Sequence, residues 1–342
     1  MKSLNIAVVG YGLVGKKHCE IISQQNNTNL IGVVENNKDQ TKNFSKSEVF
    51  TSIKEILTKK KIDGAIIASP SNLHIEHALE FIEKDIPLLI EKPISHSSAG
   101  VTELLKLAEK KSVPILVGHH RRYNQIIKSA KKIIDEDIIG KIRSIMSVCW
   151  FYKPDSYFNV AEWRKKSGAG PISINLIHDI DLMRYFCGEI ENVNASIAKS
   201  IRGFENEDTA SILIKFKSGV LGTMSVSDSI VSPWSWEMNS KENLDFPFTN
   251  QNCYLIGGSK GSLSIPDLKI WSNEKEPDWL SSLKNQNFKF EKNDPFVDQI
   301  QHFVKVINKE EQPIVSGGEA FKSLKAIEAI KQSGNLKKTI NL

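Results

Sequence analysis

Two kinds of hydrophobic pattern divide the chain. In the first third, short apolar runs with little alternation are separated by longer amphipathic stretches. Residues 4–9 form such a run, and Leu30 to Val34, Ala65 to Ala68, Leu88 to Ile90 and Ile115 to Val117 form others. Runs of this kind predict strands buried on both faces. Between them, Val14, His18, Ile21 and Ile22, then Ile75, Leu79 and Ile82, then Val101, Leu104, Leu105 and Ala108 fall at helical spacing. Strands alternating with helices predict a doubly wound parallel sheet.

After Tyr123 the pattern changes. A helix around Ile126, Ile127, Ala130, Ile133 and Ile134 leads into an alternating stretch from Lys141 to Tyr152. Val193 to Ile201 is strand-like. Thr209 to Phe216 and Val220 to Val226 predict a hairpin across Lys217-Ser218-Gly219, and Tyr254 to Ile256 and Ser262 to Ile265 follow. A helix is expected to start near Pro171, a favoured first helical residue. Helices around Phe296 to Val306 and Ala320 to Ile330 show core periodicity. The expected architecture is an α/β Rossmann-type domain over residues 1–122, then an α+β domain with a large, mostly antiparallel open sheet over 123–342.

At 342 residues, composition and charge refine this picture only modestly. The net charge of +5 is spread over many lysines, and no basic stripe carries interleaved aromatics, so nucleic acid is not an expected partner. No apolar run approaches the roughly 18 residues of a membrane span. Cys19, Cys149, Cys187 and Cys253 are far apart and form no Cys-x-x-Cys pair. No metal site is expected, and reduced thiols fit a cytoplasmic protein.

The chemistry gathers at the predicted strand ends, where doubly wound sheets bind ligands. Gly10-Tyr11-Gly12-Leu13-Val14-Gly15 follows the first strand and opens a helix, which suggests a dinucleotide-phosphate turn. Glu35 ends the second strand, 20 residues after Gly15, where a carboxylate accepts both ribose hydroxyls and repels a 2′-phosphate. The expected cofactor is therefore NAD rather than NADP. Ser69 to His74, Glu91-Lys92-Pro93 and Gly118 to Arg122 complete the candidate surface. Lys92 can stabilise alkoxide charge, or it is a strand-end lysine paired with an acid. His18, on the apolar face of its helix, reads as a packed histidine.

These motifs, in this order, resemble the Gfo/Idh/MocA family of sugar and polyol oxidoreductases. The resemblance rests on the glycine turn, Ser69-Pro70-Ser71-Asn72-Leu73-His74, Glu91-Lys92-Pro93, Gly118-His119-His120-Arg121-Arg122-Tyr123 and the segment around His178. It implies a nicotinamide cofactor, Lys92 as a catalytic lysine and Glu91 near the nicotinamide end. Pro70, Asn72 and His74 would line the cofactor's path, and Trp163 and Arg164 are counted with the cofactor residues. Family precedent also implies oligomer contacts on the open sheet, as a homodimer or homotetramer.

On the helix after Pro171, Asn175 and His178 are expected to share a face, as are His178 and Asp181. His178 can accept a hydroxyl proton as hydride leaves the same carbon, or it is a surface histidine balanced by Asp181. Many polyol-oxidising relatives carry an aspartate four residues before this histidine; here Ile174 stands there, with Asn175 beside it. The expected catalytic set is Lys92, His178 and Asn175. His120, Arg121, Tyr152 and Trp234 join it as candidates for binding a carbohydrate-like substrate. Tyr152 belongs to the aromatic-rich stretch 151–158, and Trp234 opens a long irregular loop ending near Asn252. The expected activity is NAD-dependent hydride transfer from a sugar, polyol or derived hydroxy compound. Lyase, hydrolase-type or reductase chemistry with NAD, and a non-catalytic NAD sensor, are the alternatives.

Overall fold

The computed structural model describes residues 3–42 and 44–342. In chain order the elements begin β1 (Leu4–Val9), α1 (Leu13–Gln24), β2 (Thr28–Val34), α2 (Lys38–Thr41), β3 (Val49–Phe50), α3 (Ile53–Lys59), β4 (Gly64–Ile67), α4 (His74–Ile82), β5 (Leu88–Ile90), α5 (Val101–Lys110) and β6 (Ile115–Val117). There follow α6 (Gln125–Asp135), β7 (Ile142–Trp150), α7 (Asp155–Asn159), α8 (Pro171–Ile174), α9 (Leu176–Cys187), β8 (Ile190–Lys199), β9 (Glu207–Phe216), β10 (Leu221–Ser227) and α10 (Trp236–Asn239). The chain ends with β11 (Tyr254–Gly258), β12 (Gly261–Ile265), β13 (Lys269–Asn273), β14 (Leu283–Asn287), α11 (Pro295–Ile307), α12 (Gly317–Leu336) and β15 (Ile340–Asn341).

The chain divides into two compact units: residues 1–123 with 294–324, and residues 124–293 with 325–342. The sequence suggested a single cut after Arg122; the contacts instead assign 294–324 to the first unit. The packing of that unit gives the reason. Its six strands run in the order β3-β2-β1-β4-β5-β6, all parallel. Successive side chains of a strand point to opposite faces. Ala7, Val9, Ile67 and Ile90 meet Ile53 of α3, Phe81 of α4 and Leu104 of α5 in one cluster. Ile6, Val8, Ile66 and Leu89 meet Ile22 of α1 together with Ile300 and Phe303 of α11 in the other. α11 thus shares with α1 the covering of a face that buried strands cannot leave wet. Full burial of side chains such as Ile300 and Phe303 stabilises by roughly 1.5–3 kcal/mol each. Near its end, the segment 294–324 also adds to the sheet edge, where Val117 N–H donates to Val315 O at 2.9 Å.

The second unit is built on nine strands in the order β14-β13-β12-β11-β7-β10-β9-β8-β15. Here the alternation is clean. On β9, Ala210, Ile212, Ile214 and Phe216 are buried, while Leu213 is exposed. One sheet face packs on α6, α8 and α9 through Ile127, Ile172, Ile177 and Ile180. On the other, Leu255, Met146, Thr223, Leu213 and Asn194 align across five strands in one register row. Among the described residues every pairing in this sheet is antiparallel except one: β7 and β10 run parallel, with Ser144 opposite Leu221 and Trp150 opposite Ser227.

Two local readings change. The helix expected from Pro171 is two helices, because Asn175 (φ −98°, ψ −50°) ends α8 and caps α9. The irregular loop 232–252 contains the short α10, whose N-cap Ser235 accepts from Met238 N–H. The four cysteines are buried and unbridged; burial pushes the Cys19 and Cys187 thiols up to about 12. No helix among the described residues is long and apolar enough to cross a membrane.

Candidate functional site

In the first unit all six strands end at one edge. The chain switches direction between β1 and β4, the place where such sheets bind nucleotides. Gly10 (φ +91°) is pressed against the end of β4: a Cβ there would stand 2.7 Å from Ala68 O. A Cβ on Gly15 would stand 2.1 Å from Gly10 O, so helix and turn meet backbone to backbone. Gly12 is different, with nothing within 4 Å of the position its Cβ would take. It caps α1 without a side-chain hydrogen bond, and the first turn of α1 holds no acid. An open glycine before unsatisfied helix amides fits a pyrophosphate. Tyr11 is half-buried and its ring packs on Phe44 at 4.8 Å; Leu13 is exposed and Val14 half-buried.

Glu35 lies beside this turn. Its Oε2 accepts from Tyr11 N–H and its Oε1 from Asn37 N–H, both at 2.9 Å. Each oxygen keeps a lone pair for a ribose hydroxyl. Pro70 and Asn72 are exposed at the end of β4. His74 is buried and ties two strand ends together, its Nε2 lying 2.8 Å from Ser69 O and its Nδ1 3.0 Å from Pro93 O.

Glu91 is buried at the end of β5, with Oε1 2.7 Å from His18 Nε2 and Oε2 accepting from Lys92 N–H at 3.2 Å. Burial pushes its carboxyl up. The bond from His18 and the charges of His18, His120 and Lys92 outweigh that, and the net displacement is below the usual carboxylate range. Gly118 makes room for it: a Cβ there would stand 2.9 Å from the carboxylate. His120 stacks on Phe296 of α11, ring centroids 4.4 Å apart, and the Phe296 ring also meets His18 edge-on. Lys92 is half-buried, and Arg121 is buried. The sequence flagged His18 as packed and α11 as core; nothing in it paired either with Glu91.

In the second unit, α9 is buried almost all round. His178 is 7% exposed and Asp181 1%, so His178 is not a surface histidine. Tyr254 O–H donates to the neighbouring Asp179 carboxylate. Asn175 Oδ1 accepts from Lys153 Nζ at 2.9 Å. Lys153 extends past β7 and Asp228 past β10, side by side because those strands are parallel: Lys153 N–H donates to Asp228 O at 2.9 Å. Arg202 N–H groups reach Asp228 Oδ1 at 3.1 Å and Lys153 O at 2.9 Å. Burial pushes the Asp228 carboxyl up against the pull of Lys153 and Arg202, and burial lowers the Lys153 ammonium against the pull of Asp228.

The aromatic candidates are split. Tyr152 is 45% exposed under Arg202, and Trp234, 41% exposed, packs edge-on against Trp150 at 5.7 Å. Arg164 donates to Tyr157 O at 2.7 Å and lies over that ring, while Trp163 is exposed. The sequence singled out neither Asp228 nor Arg202. Among the described residues, no group of three or more His, Cys, Asp or Glu side chains could hold a metal ion.

A parallel sheet with an open glycine turn at its switch point defines a dinucleotide-binding unit, and a family model described as "Oxidoreductase family, NAD-binding Rossmann fold" matches residues 4–119. A second, the "GFO/IDH/MocA C-terminal domain", matches residues 127–264. The chain belongs to the Gfo/Idh/MocA oxidoreductase family. It is 23% identical to a myo-inositol 2-dehydrogenase of Thermotoga maritima, over 99% of this chain and 98% of that one. It is 26% identical to a 2,7-anhydro-N-acetylneuraminate hydratase of Escherichia coli, over 77% and 67%. An oxidoreductase of Agrobacterium radiobacter, solved with NAD+, L-tartaric acid and magnesium, shares the fold with a TM-score of 0.84 at 15% identity, covering 99% and 98%.

Proposed function

We propose that this chain is an NAD-dependent dehydrogenase acting on a sugar, polyol or sugar-derived hydroxy compound. The observation that carries the reading is the open turn at Gly12 next to a Glu35 carboxylate fixed by Tyr11 N–H. A fixed carboxylate there favours the two hydroxyls of NAD over the 2′-phosphate of NADP. If NADP binds more tightly than NAD in a fluorescence titration, Glu35 does not have this role.

When bound, the nicotinamide supplies the hydride acceptor. His178 takes the hydroxyl proton, and Lys92 stabilises the negative charge that develops on the substrate oxygen. Asn175, at the start of the helix that carries His178, orients the substrate. The test is a screen of polyols, aldoses and hydroxy acids, myo-inositol included, for NADH formation, followed by Lys92→Ala and His178→Ala on the best substrate. Each variant is expected to lose about 10²- to 10⁴-fold in kcat with NAD affinity unchanged. Full turnover in either removes that residue from the assignment.

The resemblance to a hydratase favours one second reading, in which bound NAD is reduced and reoxidised within a cycle and no net NADH forms. Substrate consumption without NADH release, by protein that keeps its cofactor through purification, would select it.

A further inference from the structure

Lys153 is a buried cation of the second unit. Its side chain is 6% exposed, and its backbone is held in the extension of β7 and β10, the one parallel pair among the described strands of the second sheet. Arg202 fixes it from behind, donating to the Lys153 and Asp228 carbonyls at 2.9 and 3.0 Å and to Asp228 Oδ1 at 3.1 Å. Asp228 Oδ2 stands 3.6 Å from the Lys153 ammonium, an ion pair longer than a hydrogen bond. The hydrogen bond goes instead to Asn175 Oδ1, at 2.9 Å.

An ammonium has three donors and no acceptor, so it dictates which end of an amide faces it. The Asn175 oxygen is turned to Lys153, and its Nδ2 is turned away. Among the described residues that Nδ2 has no hydrogen-bond acceptor, while the Lys153 ammonium, besides Asn175 and Asp228, stands 5.1 Å from the centre of the Tyr157 ring. Two donors on adjacent side chains, one of them charged, stand at the N-terminus of the 12-residue α9, whose dipole adds positive field. The charges of Asp228 and Glu237 favour the ammonium form against burial. A ligand for this pair must bring two acceptor oxygens and negative charge.

We propose that Lys153 and Asn175 form a carboxylate-binding pair, which makes the substrate a hydroxy acid or sugar acid. Lys153 binds one carboxylate oxygen and Asn175 Nδ2 the other. The pair stands next to His178, whose N–H donates to Asn175 O at 3.2 Å, so the carboxylate is held at the start of the helix that carries the proposed proton acceptor. This rests on the dehydrogenase reading only for what happens to the bound acid.

The experiment is calorimetric binding to NAD-loaded full-length protein, using pairs that differ in the carboxylate: L-tartrate against L-threitol, D-gluconate against D-glucitol, and D-glucuronate against D-glucose. At least one acid is expected to bind about tenfold or more tightly than its neutral partner, as charge-assisted hydrogen bonds require. Lys153→Met should erase that preference, Lys153→Arg should keep part of it, and Asn175→Asp, nearly isosteric, should reverse it by presenting an acceptor. NAD affinity should be unchanged in all three. No preference for the acid in any pair, or a preference that survives both Lys153→Met and Asn175→Asp, overturns the proposal. Binding is read without turnover. Acid preference with no NADH formed on any compound sinks the dehydrogenase reading and leaves the pair standing; turnover of neutral polyols without acid preference does the reverse.

Discussion

In the Rossmann unit the Glu91 carboxylate lies 2.7 Å from His18, with the charges of His120 and Lys92 acting on it, and its pKa is displaced downward. In the sheet unit the Asp228 carboxylate lies between Arg202 at 3.1 Å and Lys153 at 3.6 Å, and its pKa is displaced upward. Both are buried at the ends of parallel strands, and both face cations. The difference is in who holds whom. Glu91 receives a short bond aimed at it. Asp228 receives one cation at bonding distance and another that has turned to Asn175, so burial dominates. The first arrangement fixes a carboxylate. The second leaves a cation for use elsewhere.

The largest expected effect tests the first half of that contrast. His18→Ala strands the buried Glu91 charge, and losing one partner of a buried pair costs about 3–5 kcal/mol. Arg202→Met removes one of two cations facing Asp228 and leaves Lys153 free to close on it, so about 1–3 kcal/mol is expected. Urea unfolding of the two variants measures both. If Arg202→Met costs more than His18→Ala, Asp228 is the more tightly held carboxylate and the contrast is reversed.

The two units also differ in how much of each was legible in sequence. A parallel sheet brings every carboxyl end to one edge, so the rule that ligands sit at strand ends picked out Gly10 to Gly15, Glu35 and Glu91 directly. The bond between His18 and Glu91 spans 73 positions, and Phe296 joins from α11 after strands β7 to β14 of the second sheet have intervened; no local pattern carries either. In the second unit, alternation marked β7 to β12 well. It could not mark β13, β14 or β15, because Lys269–Asn273, Leu283–Asn287 and Ile340–Asn341 are mostly polar, and β14 is exposed throughout. In a sheet of antiparallel strands, ends alternate between two edges. Lys153 and Asp228 meet only because β7 and β10 pair in parallel across some seventy intervening residues, a pairing no hairpin signal announces. The spacing places Asn175 on one face of a continuous helix; in the structure it sits at the junction of α8 and α9, and its side chain turns to Lys153.

The smallest expected effect is the sharpest, because its sign differs between the units. Glu91 has a folded pKa below its unfolded value, so its ionised form adds stability above the unfolded pKa. That stability is lost as pH falls through the folded one. Asp228 has a folded pKa above its unfolded value, so the native state binds the extra proton. Between those two values its contribution rises as pH falls. Glu91→Gln should therefore flatten the acid-side fall in unfolding free energy, whereas Asp228→Asn should steepen it, each relative to the unsubstituted protein. Urea unfolding across the carboxylate range, from neutral pH down to where the protein still folds, reads both slopes. Slopes that shift in the same direction would mean that Asp228 is paired as firmly as Glu91. The Lys153 ammonium would then be committed to it rather than to Asn175 and a bound carboxylate.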